Sequence, residues 1–282
     1  MADNQIAIKF NEEDRSVREG VTLAELRDKF KPDADVLVVN GFPSQPDTLL
    51  KDGDEVVLIR RGETPKADEL EALMVARHTP GVHERMKSAV VGLAGLGGLG
   101  SAVAISLARM GIGTMILADF DIVEPSNLNR QHYFIEHIGM PKTEAMAQIL
   151  SHINPYIQVQ THTVILTPDN IPDIFKAASI VVECFDGAEA KAMIIETVAD
   201  ALPKAFAVGA SGLAGYGDSN GIQTRRLGEK IFIVGDLVMA AQPGRGLMAP
   251  RVGIAANHQA NLVVSLLMDT EAAVKQIPDM LA

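Results

Sequence analysis

The sequence predicts an α/β fold with a mainly parallel sheet, preceded by a smaller domain rich in strands. From residue 89 onward, short apolar segments alternate with helical segments, a pattern typical of parallel strands joined by helices. A glycine-rich turn separates the first of these strands from its helix. Residues 1–63 follow another order, namely strand, strand, helix, strand, strand. Together the two patterns indicate two domains.

The first domain is predicted to span residues 1–63. Thr22 and Glu25 form a capping box, in which each side chain bonds the other residue's backbone N–H and so starts a helix. Polar turn residues separate the other segments, which have the character of strands. The resulting order is that of a β-grasp module. Its predicted elements are the strands Gln5–Phe10 and Arg15–Arg18, the helix Leu23–Phe30, and the strands Asp35–Val39 and Glu55–Arg60.

Residues 64–87 are predicted to form a linker helix, and residues 88–282 a Rossmann-like domain with helices on both faces of its sheet. Near its end, Lys230–Val234 is expected to pair antiparallel, and the glycine- and proline-rich segment Gly235–Pro250 to form a mobile loop over the site. The other predicted strands are Ala89–Ala94, Thr114–Ala118, Ile157–Leu166, Ser179–Cys184 and Lys204–Val208; the predicted helices are Ser101–Met110, Pro141–Ile153, Pro168–Ala177, one ending at Ala201, and Gly253–Met268.

Composition narrows the possible functions. Among 282 residues, 36 acidic and 25 basic side chains give a net charge of −11, which argues against an extended nucleic-acid interface. No apolar run reaches about 18 residues, and the N-terminal residues lack the charged and apolar segments of a signal peptide. We therefore expect a cytoplasmic protein that binds neither nucleic acid nor a membrane. A single cysteine excludes an intrachain disulfide.

The glycine turn predicts a nucleotide site. Glycines without side chains let backbone N–H groups approach a phosphate at the start of a helix. Asp119 follows the next strand, about 20 positions further on, where an acidic residue usually binds the ribose. On the glycines alone, a dinucleotide oxidoreductase is as good an interpretation as any other. The glycines concerned are Gly95, Gly97, Gly98 and Gly100.

The residues after Asp119 favour ATP over NAD. Arg130 and Lys142 supply two cations beside the carboxyl end of the strand, and two cations suit a triphosphate better than the pyrophosphate bridge of NAD. Polar side chains accompany them on the same loop. These further candidates for nucleotide binding are Asp121, Asn127 and Gln131.

The motifs GLGGLG, D-x-D-x-V-x-x-SNLNRQ, G-x-x-K and INP occur here in that order, and from Ala76 to Met268 the chain resembles the ThiF/MoeB superfamily of ubiquitin-activating-type adenylyltransferases. Its short ThiF branch, linked with thiamine biosynthesis, is the best fit. The resemblance implies a homodimeric, ATP- and Mg²⁺-dependent adenylyltransferase. Its expected substrate is the C-terminal Gly-Gly carboxylate of a separate ThiS-like sulfur carrier protein.

The resemblance also implies roles for particular residues. Asp186 corresponds to the family's aspartate in a Thr-Asp-Asn motif, written here Phe-Asp-Gly, and is the expected Mg²⁺ ligand. The alternative is an aspartate that merely caps the next helix. An arginine from the N-terminal segment reaches an ATP site in the family, commonly that of the dimer partner. Arg77 is the first candidate here and Arg85 the second, the alternative being a solvated arginine on an amphipathic helix.

Cys184 is expected to be inert. It ends an apolar strand, where burial raises a thiol's pKa, and it is not in the later loop where relatives carry a reactive cysteine. We therefore expect neither a thioester nor a persulfide. The two Cys-x-x-Cys pairs that bind zinc in many relatives are missing, so no zinc is expected.

The first domain resembles the ThiS sulfur carriers in VLVVNG and KDGDEVVLI. A working carrier ends in a free Gly-Gly carboxylate, whereas here Gly62 is followed by Glu63. We interpret residues 1–63 as a docking or packing domain; a carrier released by proteolysis is the alternative.

Three other functions stay open at this point. One is an NAD-dependent oxidoreductase, which nothing after Asp119 supports. A second is an enzyme of the same fold that adenylates another substrate, such as a modified tRNA base, which the acidic charge disfavours. A third is a pseudo-enzyme that only binds a carrier. Because Asp119, Arg130, Lys142 and Asp186 are all present, we favour an active enzyme.

Overall fold

The structure is a computed structural model that describes residues 4–11, 13–62, 70, 71, 74, 78 and 80–280. Its contacts divide the chain into two compact units, Met1–Glu84 and Arg85–Ala282, which we describe separately. Most of the predicted linker, including Arg77, lies outside the described residues. The domain boundaries at residues 63 and 87 therefore stay predictions.

The first unit contains a five-stranded sheet with one helix. The strands run in the order β2-β1-β5-β3-β4, with β1 and β5 parallel at the centre and the other pairs antiparallel. This is the predicted β-grasp fold. Its elements are β1 (Gln5–Phe10), β2 (Glu13–Arg18), α1 (Leu23–Phe30), β3 (Val36–Val39), β4 (Phe42–Pro43) and β5 (Glu55–Ile59).

Local sequence signals explain these elements. Thr22 Oγ1 accepts from the N–H of Glu25 at 3.2 Å, and Glu25 accepts from the N–H of Thr22 at 2.9 Å, so the predicted capping box starts α1. Alternate residues of β1 enter a core that Leu23 and Leu26 of α1 complete. Asn40 and Gly41 both have positive φ, which lets a two-residue turn join β3 to β4.

The second unit contains a seven-stranded sheet, and helix α2 (Pro80–Ser88), which begins in the first unit, precedes its first strand. Its strands are β6 (Val90–Ala94), β7 (Thr114–Ala118), β8 (Gln158–His162), β9 (Ile180–Glu183), β10 (Phe206–Ala210), β11 (Gln223–Arg226) and β12 (Ile231–Gly235). The helices that follow are α3 (Gly98–Met110), α4 (Lys142–Ile153), α5 (Ile171–Phe175), α6 (Ala188–Ala201), α7 (Ala249–Met268) and α8 (Thr270–Gln276).

The strand order is β11-β12-β10-β9-β6-β7-β8, and every neighbouring pair is parallel except β11 with β12. The expectation that Lys230–Val234 pairs antiparallel needs correction. The strand there, β12, pairs in parallel with β10 and is antiparallel only to β11, which was not predicted. The edge strand β11 was not predicted because its sequence, Gln-Thr-Arg-Arg, is polar and charged and lacks the apolar residues typical of a strand.

Helices cover both faces of this sheet, as predicted. On one face, α5 and α6 share a core with β6, β7, β9 and β10, and Phe175 is fully buried in it. On the other face, α3 packs against α4, α7 and β6, and α7 also contacts β10 and β12. None of the helices among the described residues combines the length and the apolar character that a membrane crossing requires.

The order of the strands positions a crevice. The chain leaves β6 toward β7 and β8 on one side, and later places β9, β10 and β12 on the other side. Open α/β sheets bind ligands at such a reversal, outside the carboxyl ends of the strands. The loops after β6, β7 and β9 therefore mark where a site should be sought.

Candidate functional site

The glycine turn connects β6 to α3 with little space around it. Gly95 has a φ of 94°, and its N–H donates to the carbonyl of Ala118 at 2.8 Å. A Cβ added at Gly100 would lie 2.0 Å from the carbonyl oxygen of Gly95. No other residue fits at position 100, because α3 starts in close contact with the turn. The glycine pattern thus forms the strand–turn–helix that it predicts.

Asp119 follows β7 and is bound to this turn. One of its carboxylate oxygens accepts from the N–H of Leu96 at 2.6 Å and the other from the N–H of Asp121 at 2.8 Å. Burial raises the pKa of Asp119, against the two backbone N–H groups and the charge of Lys142, which lower it. The carboxylate therefore joins the end of β7 to the turn after β6.

Asp121 and Lys142 form an ion pair beside Asp119. Lys142 Nζ lies 2.8 Å from Asp121 Oδ2, and the backbone N–H of Lys142 donates to the carbonyl of Asp121 at 2.9 Å. Lys142 is 5% exposed, and an ammonium group at such a position is held by a charge partner. Because an ammonium has three N–H groups, the pair leaves Lys142 with further donors.

The segment with Asn127, Arg130 and Gln131 lies against the start of α3. The ideal Cβ position of Gly98 is 3.5 Å from Cγ of Arg130, and that of Gly97 is 3.8 Å from Nε2 of Gln131. Asn127 is buried, and its Oδ1 accepts from the N–H of Glu124 at 3.0 Å. The structure therefore brings the glycine turn and the predicted residues of this segment together.

Tyr133 was not predicted from the sequence, although it joins the parts of the site. Its buried hydroxyl donates to the carbonyl of Leu96 at 2.8 Å and lies 3.5 Å from the carbonyl of Lys142. Burial raises the pKa of Tyr133, and the charges of Asp119 and Asp121 raise it further. No spacing rule indicates this residue, because its two partners, Leu96 and Lys142, lie in separate segments of the chain.

A cavity of about 460 Å³ adjoins Gly98, Arg130 and Gln131. Its other walls come from α3 and from the first turns of α7, including Pro250. Its volume is in the range of small-molecule sites. Arg130 and the side-chain amides of Asn129 and Gln131 thus border a space large enough for a ligand, whereas Asp119, Lys142 and Asp186 are not among the residues that line it.

Asp186 is exposed, just beyond the carboxyl end of β9. Helix α6 has Gly187 as its N-cap, without a capping side chain, so the alternative interpretation of Asp186 as a cap is wrong. Cys184 and Phe185 come close to the glycine turn, since the ideal Cβ of Gly95 is 3.1 Å from the Cys184 carbonyl oxygen and from Phe185 Cδ1. Asp186 therefore follows a segment that contacts the turn.

A single exposed carboxylate fits Mg²⁺, which is usually held by one or two protein carboxylates together with phosphate oxygens and water. Asp186 offers such a ligand. Among the residues that the structure describes, no three His, Cys, Asp or Glu side chains are grouped as a metal site of their own.

The buried pair Glu183 and Lys191 was also missed. Glu183, the last residue of β9, is 1% exposed, and its Oε1 lies 2.9 Å from Lys191 Nζ. Burial raises the pKa of Glu183, while Lys191 opposes that rise. A charged residue within the otherwise apolar strand Ile-Val-Val-Glu was the available signal.

Cys184 is buried, as predicted. Burial raises the pKa of its thiol well above the usual value, and the neighbouring charge of Glu183 adds to the rise. Such a thiol is a poor nucleophile.

Arg85 is exposed on α2, and the carbonyl of the next residue, Met86, accepts from the N–H of Gly113, just before β7. It therefore lies at the amino ends of the strands, away from the glycine turn of its own chain. The first candidate, Arg77, lies outside the described residues.

The segment after β12 contains a further ion pair, between the half-buried Asp236 and the buried Arg251. Arg251 Nη2 lies 2.5 Å from Asp236 Oδ2, and Asp236 Oδ1 accepts from the N–H groups of Val238 and Met239. Gly215 donates to the carbonyl of Gly246, which connects the predicted loop to the segment after β10. The mobility expected of Gly235–Pro250 stays a prediction.

Comparisons with known proteins agree with the fold of both units. The chain matches the ThiF family over residues 71–277 and the ThiS-like ubiquitin family over residues 6–62. It is 33% identical over 185 residues to "Adenylyltransferase and sulfurtransferase UBA4" of Yarrowia lipolytica, covering 64% of this chain and 46% of that protein. It is 37% identical over 124 residues to "Ubiquitin-like modifier-activating enzyme 5" of Drosophila virilis, covering 40% of this chain and 31% of that one. The chain thus spans less than half the length of these relatives.

Solved structures share the fold. E. coli tRNA N6-threonylcarbamoyladenosine dehydratase, TcdA, in complex with AMP has a TM-score of 0.66 and 22% identity, over 75% of this chain and 99% of that one. E. coli MccB with ATP has a TM-score of 0.51 and 23% identity, over 78% of this chain and 68% of that one. Since the ThiF match alone extends over most of the sequence, the chain belongs to the ThiF family and carries a ThiS-like ubiquitin domain ahead of its ThiF domain.

Proposed function

We propose that this protein is an ATP-dependent adenylyltransferase that activates the C-terminal Gly-Gly carboxylate of a separate ThiS-like sulfur carrier, within thiamine (thiazole) sulfur transfer. The observation that carries the proposal is the network around the glycine turn. It holds a buried lysine, an arginine and an aspartate at the switch point of a parallel sheet. The ThiS-like domain supports a carrier of the ubiquitin fold as the partner.

Different residues of the site bind different parts of the nucleotide. The backbone of the glycine turn and the cations of Arg130 and Lys142 bind the phosphates, and Asp119 accepts from a ribose hydroxyl. Both oxygens of Asp119 already accept one backbone N–H each, but a carboxylate has about four acceptor sites. Asp121 orients Lys142 through their ion pair. Asn127 and Gln131 support the segment that carries Arg130.

In the reaction, an oxygen of the carrier's terminal carboxylate attacks the α-phosphorus of ATP. A new O–P bond forms, the bond from the α-phosphorus to the bridging oxygen breaks, and pyrophosphate leaves with the electron pair. The product is an acyl-adenylate. Since both reactants are anions, the protein contributes position and positive charge. Asp186 would hold Mg²⁺, which neutralises charge on the phosphates when bound.

The active form in this proposal is a homodimer, in which Arg77 of one subunit serves the ATP site of the other. The first domain acts by packing or by guiding the carrier, because Gly62 is followed by Glu63 and offers no carboxylate. A peptide carbonyl cannot replace the carboxylate, since the attacking oxygen must carry charge.

ATP–pyrophosphate exchange tests the proposal. We expect no exchange by the protein alone, and exchange once a free ThiS-type carrier ending in Gly-Gly is added. The matched control is the same carrier without its last two glycines, which should leave exchange at the background level. A protein that lacks residues 1–63 should still support exchange, with a changed affinity for the carrier.

Two results would contradict this proposal. Exchange by the intact protein alone, with a chain shortened at Gly62 in the mass spectrum, would make the first domain a processed carrier. Exchange that depends on tRNA instead of a carrier would indicate a tRNA-modifying enzyme of the same fold.

A further inference from the structure

We propose that Glu183 and Lys191 are positioning residues that hold the Phe185–Asp186 segment in the conformation that binds the metal. The inference rests on the proposed function, because it assumes that Asp186 is the Mg²⁺ ligand. It concerns two residues that lie beneath the site and take no part in the reaction itself.

The contacts of Glu183 carry the argument. Its Oε1 accepts from the N–H of Phe185 at 2.6 Å, and its Oε2 accepts from the N–H of Ala210 at 3.2 Å. Lys191 Nζ lies 2.9 Å from Oε1 and 3.2 Å from Oε2. Glu183 thus joins the loop after β9, the end of β10 and helix α6.

All of these partners are hydrogen-bond donors, so both oxygen positions of residue 183 must be acceptors. An ionised carboxylate meets that requirement, whereas an amide would direct an N–H₂ group at a donor. Lys191 has a side chain that is only 19% exposed, and it compensates the buried charge. An unpaired charge at this depth would be costly to bury.

Two glycines allow close packing around Glu183 and the segment that follows it. The ideal Cβ position of Gly209 is 3.2 Å from Glu183 Oε2, so the glycine leaves room for the carboxylate. On the opposite side, Gly95 comes within 3.1 Å of Phe185 Cδ1, measured from its own ideal Cβ position. The segment before Asp186 is therefore fixed between Glu183 and the glycine turn.

These contacts hold the backbone on both sides of Asp186. The residue before it, Phe185, donates its backbone N–H to Glu183. The helix after it, α6, is joined to the same carboxylate by Lys191 in its first turn. Asp186 itself is exposed. Groups that orient a metal ligand change metal affinity by about 10- to 100-fold when they are mutated.

The test compares Glu183→Gln, Lys191→Met and the conservative Lys191→Arg in the full chain. The first measurement is amide hydrogen exchange at Phe185 without metal or nucleotide. We expect faster exchange in Glu183→Gln and Lys191→Met, and protection close to that of the original protein in Lys191→Arg. Glu183→Asp is the milder variant if Glu183→Gln does not fold; its shorter side chain cannot reach both Phe185 and Ala210, so Phe185 should again exchange faster.

The second measurement is Mn²⁺ binding by electron paramagnetic resonance in the presence of a non-hydrolysable ATP analogue. We expect binding to weaken by about 10-fold in Glu183→Gln and Lys191→Met. The matched control is Asp236→Asn, which also disturbs a carboxylate, here half-buried, that pairs with a cation and accepts two backbone N–H groups. It should leave Mn²⁺ affinity unchanged.

Asp186→Asn separates this inference from the proposed function. If Asp186→Asn binds Mn²⁺ normally, the metal assignment fails, while the exchange of Phe185 still reports whether Glu183 and Lys191 order the segment. Folded Glu183 and Lys191 variants with the original Phe185 protection and Mn²⁺ affinity would overturn the inference.

Discussion

The ends of β7 and β9, the two strands on either side of β6, contain similar residues in different arrangements. Each places a buried carboxylate that accepts two backbone N–H groups, Asp119 in one case and Glu183 in the other. Each also has a lysine. After β7 the lysine pairs with the second acid, Asp121, whereas after β9 it pairs with the buried acid.

The difference decides what each end presents to a ligand. Lys142 lies within the network of the glycine turn, so in the proposed function the end of β7 supplies a cation for the phosphates. Lys191 is used beneath the site, so the end of β9 contributes an exposed Asp186 and hence negative charge. A triphosphate and a metal ion need these two opposite surfaces side by side. In the proposed function, the position of one lysine therefore distinguishes the strand end that binds phosphate from the one that binds the metal.

The largest effect should come from Lys142→Met, which removes the cation after β7. We expect pyrophosphate exchange to fall by about 10³-fold, because a preorganised charge is lost from the reacting phosphates. The exchange assay with carrier measures it. Lys204→Met, at an exposed lysine before β10, is the control and should keep full activity. A Lys142→Met protein with normal exchange would remove the contrast between the two ends.

Asp186→Asn tests the end of β9 and should lower exchange by at least about 10²-fold, since Mg²⁺ loses its charged ligand. The measurement is exchange activity against Mg²⁺ concentration. Asp200→Asn, at an exposed aspartate late in α6, is the matched control. An active Asp186→Asn enzyme with unchanged Mg²⁺ dependence would refute the assignment.

The free energy of unfolding should depend on pH in opposite ways through Asp119 and Asp236, because their pKa values are shifted in opposite directions. Asp119 has a folded-state pKa raised by burial, so its contribution to the free energy of unfolding is lost as pH rises through that pKa. For Asp236, burial is outweighed by the N–H groups of Met239 and Val238 and by Arg251, which lower its pKa. Its contribution is present above the unfolded pKa and is lost as pH falls through the folded one.

We therefore expect the destabilisation caused by Asp236→Asn to grow between pH 3 and pH 7, where roughly the unfolded carboxylate titrates. The destabilisation caused by Asp119→Asn should shrink over the same interval. Urea unfolding at several pH values measures both. Parallel pH profiles for the two variants would show that burial does not dominate at Asp119.

The smallest effect is expected for Cys184→Ala. Cys184 lies between Glu183 and Asp186, the two acidic residues at the end of β9. Removal of a small buried side chain should cost about 1 kcal/mol of stability and leave exchange unchanged. Urea unfolding and the exchange assay measure the two quantities. Loss of adenylate formation in the folded variant would show that the buried thiol takes part in the reaction.

Local patterns predicted much of this molecule. The capping box of Thr22 and Glu25, the glycine turn and the parallel strands depend on residues close in sequence, and the structure confirms all of them. The roles in ATP and Mg²⁺ binding stay predictions. Tyr133 and Glu183 were missed, because their partners are set by the order of the strands. Tyr133 bonds a residue 37 positions away, and Glu183 one 27 positions away.

Helix α7 makes hydrogen bonds that can form only late in the synthesis of the protein. Gln259 is fully buried in it, and its amide donates to the carbonyls of Glu183, the last residue of β9, and Val208, within β10. These partners are 76 and 51 residues earlier in the chain. A ribosome adding about 5–20 residues per second completes both strands seconds before Gln259 is made. During that interval both carbonyls lack the Gln259 amide as a donor, so this contact next to the strand end that carries Asp186 forms late in translation.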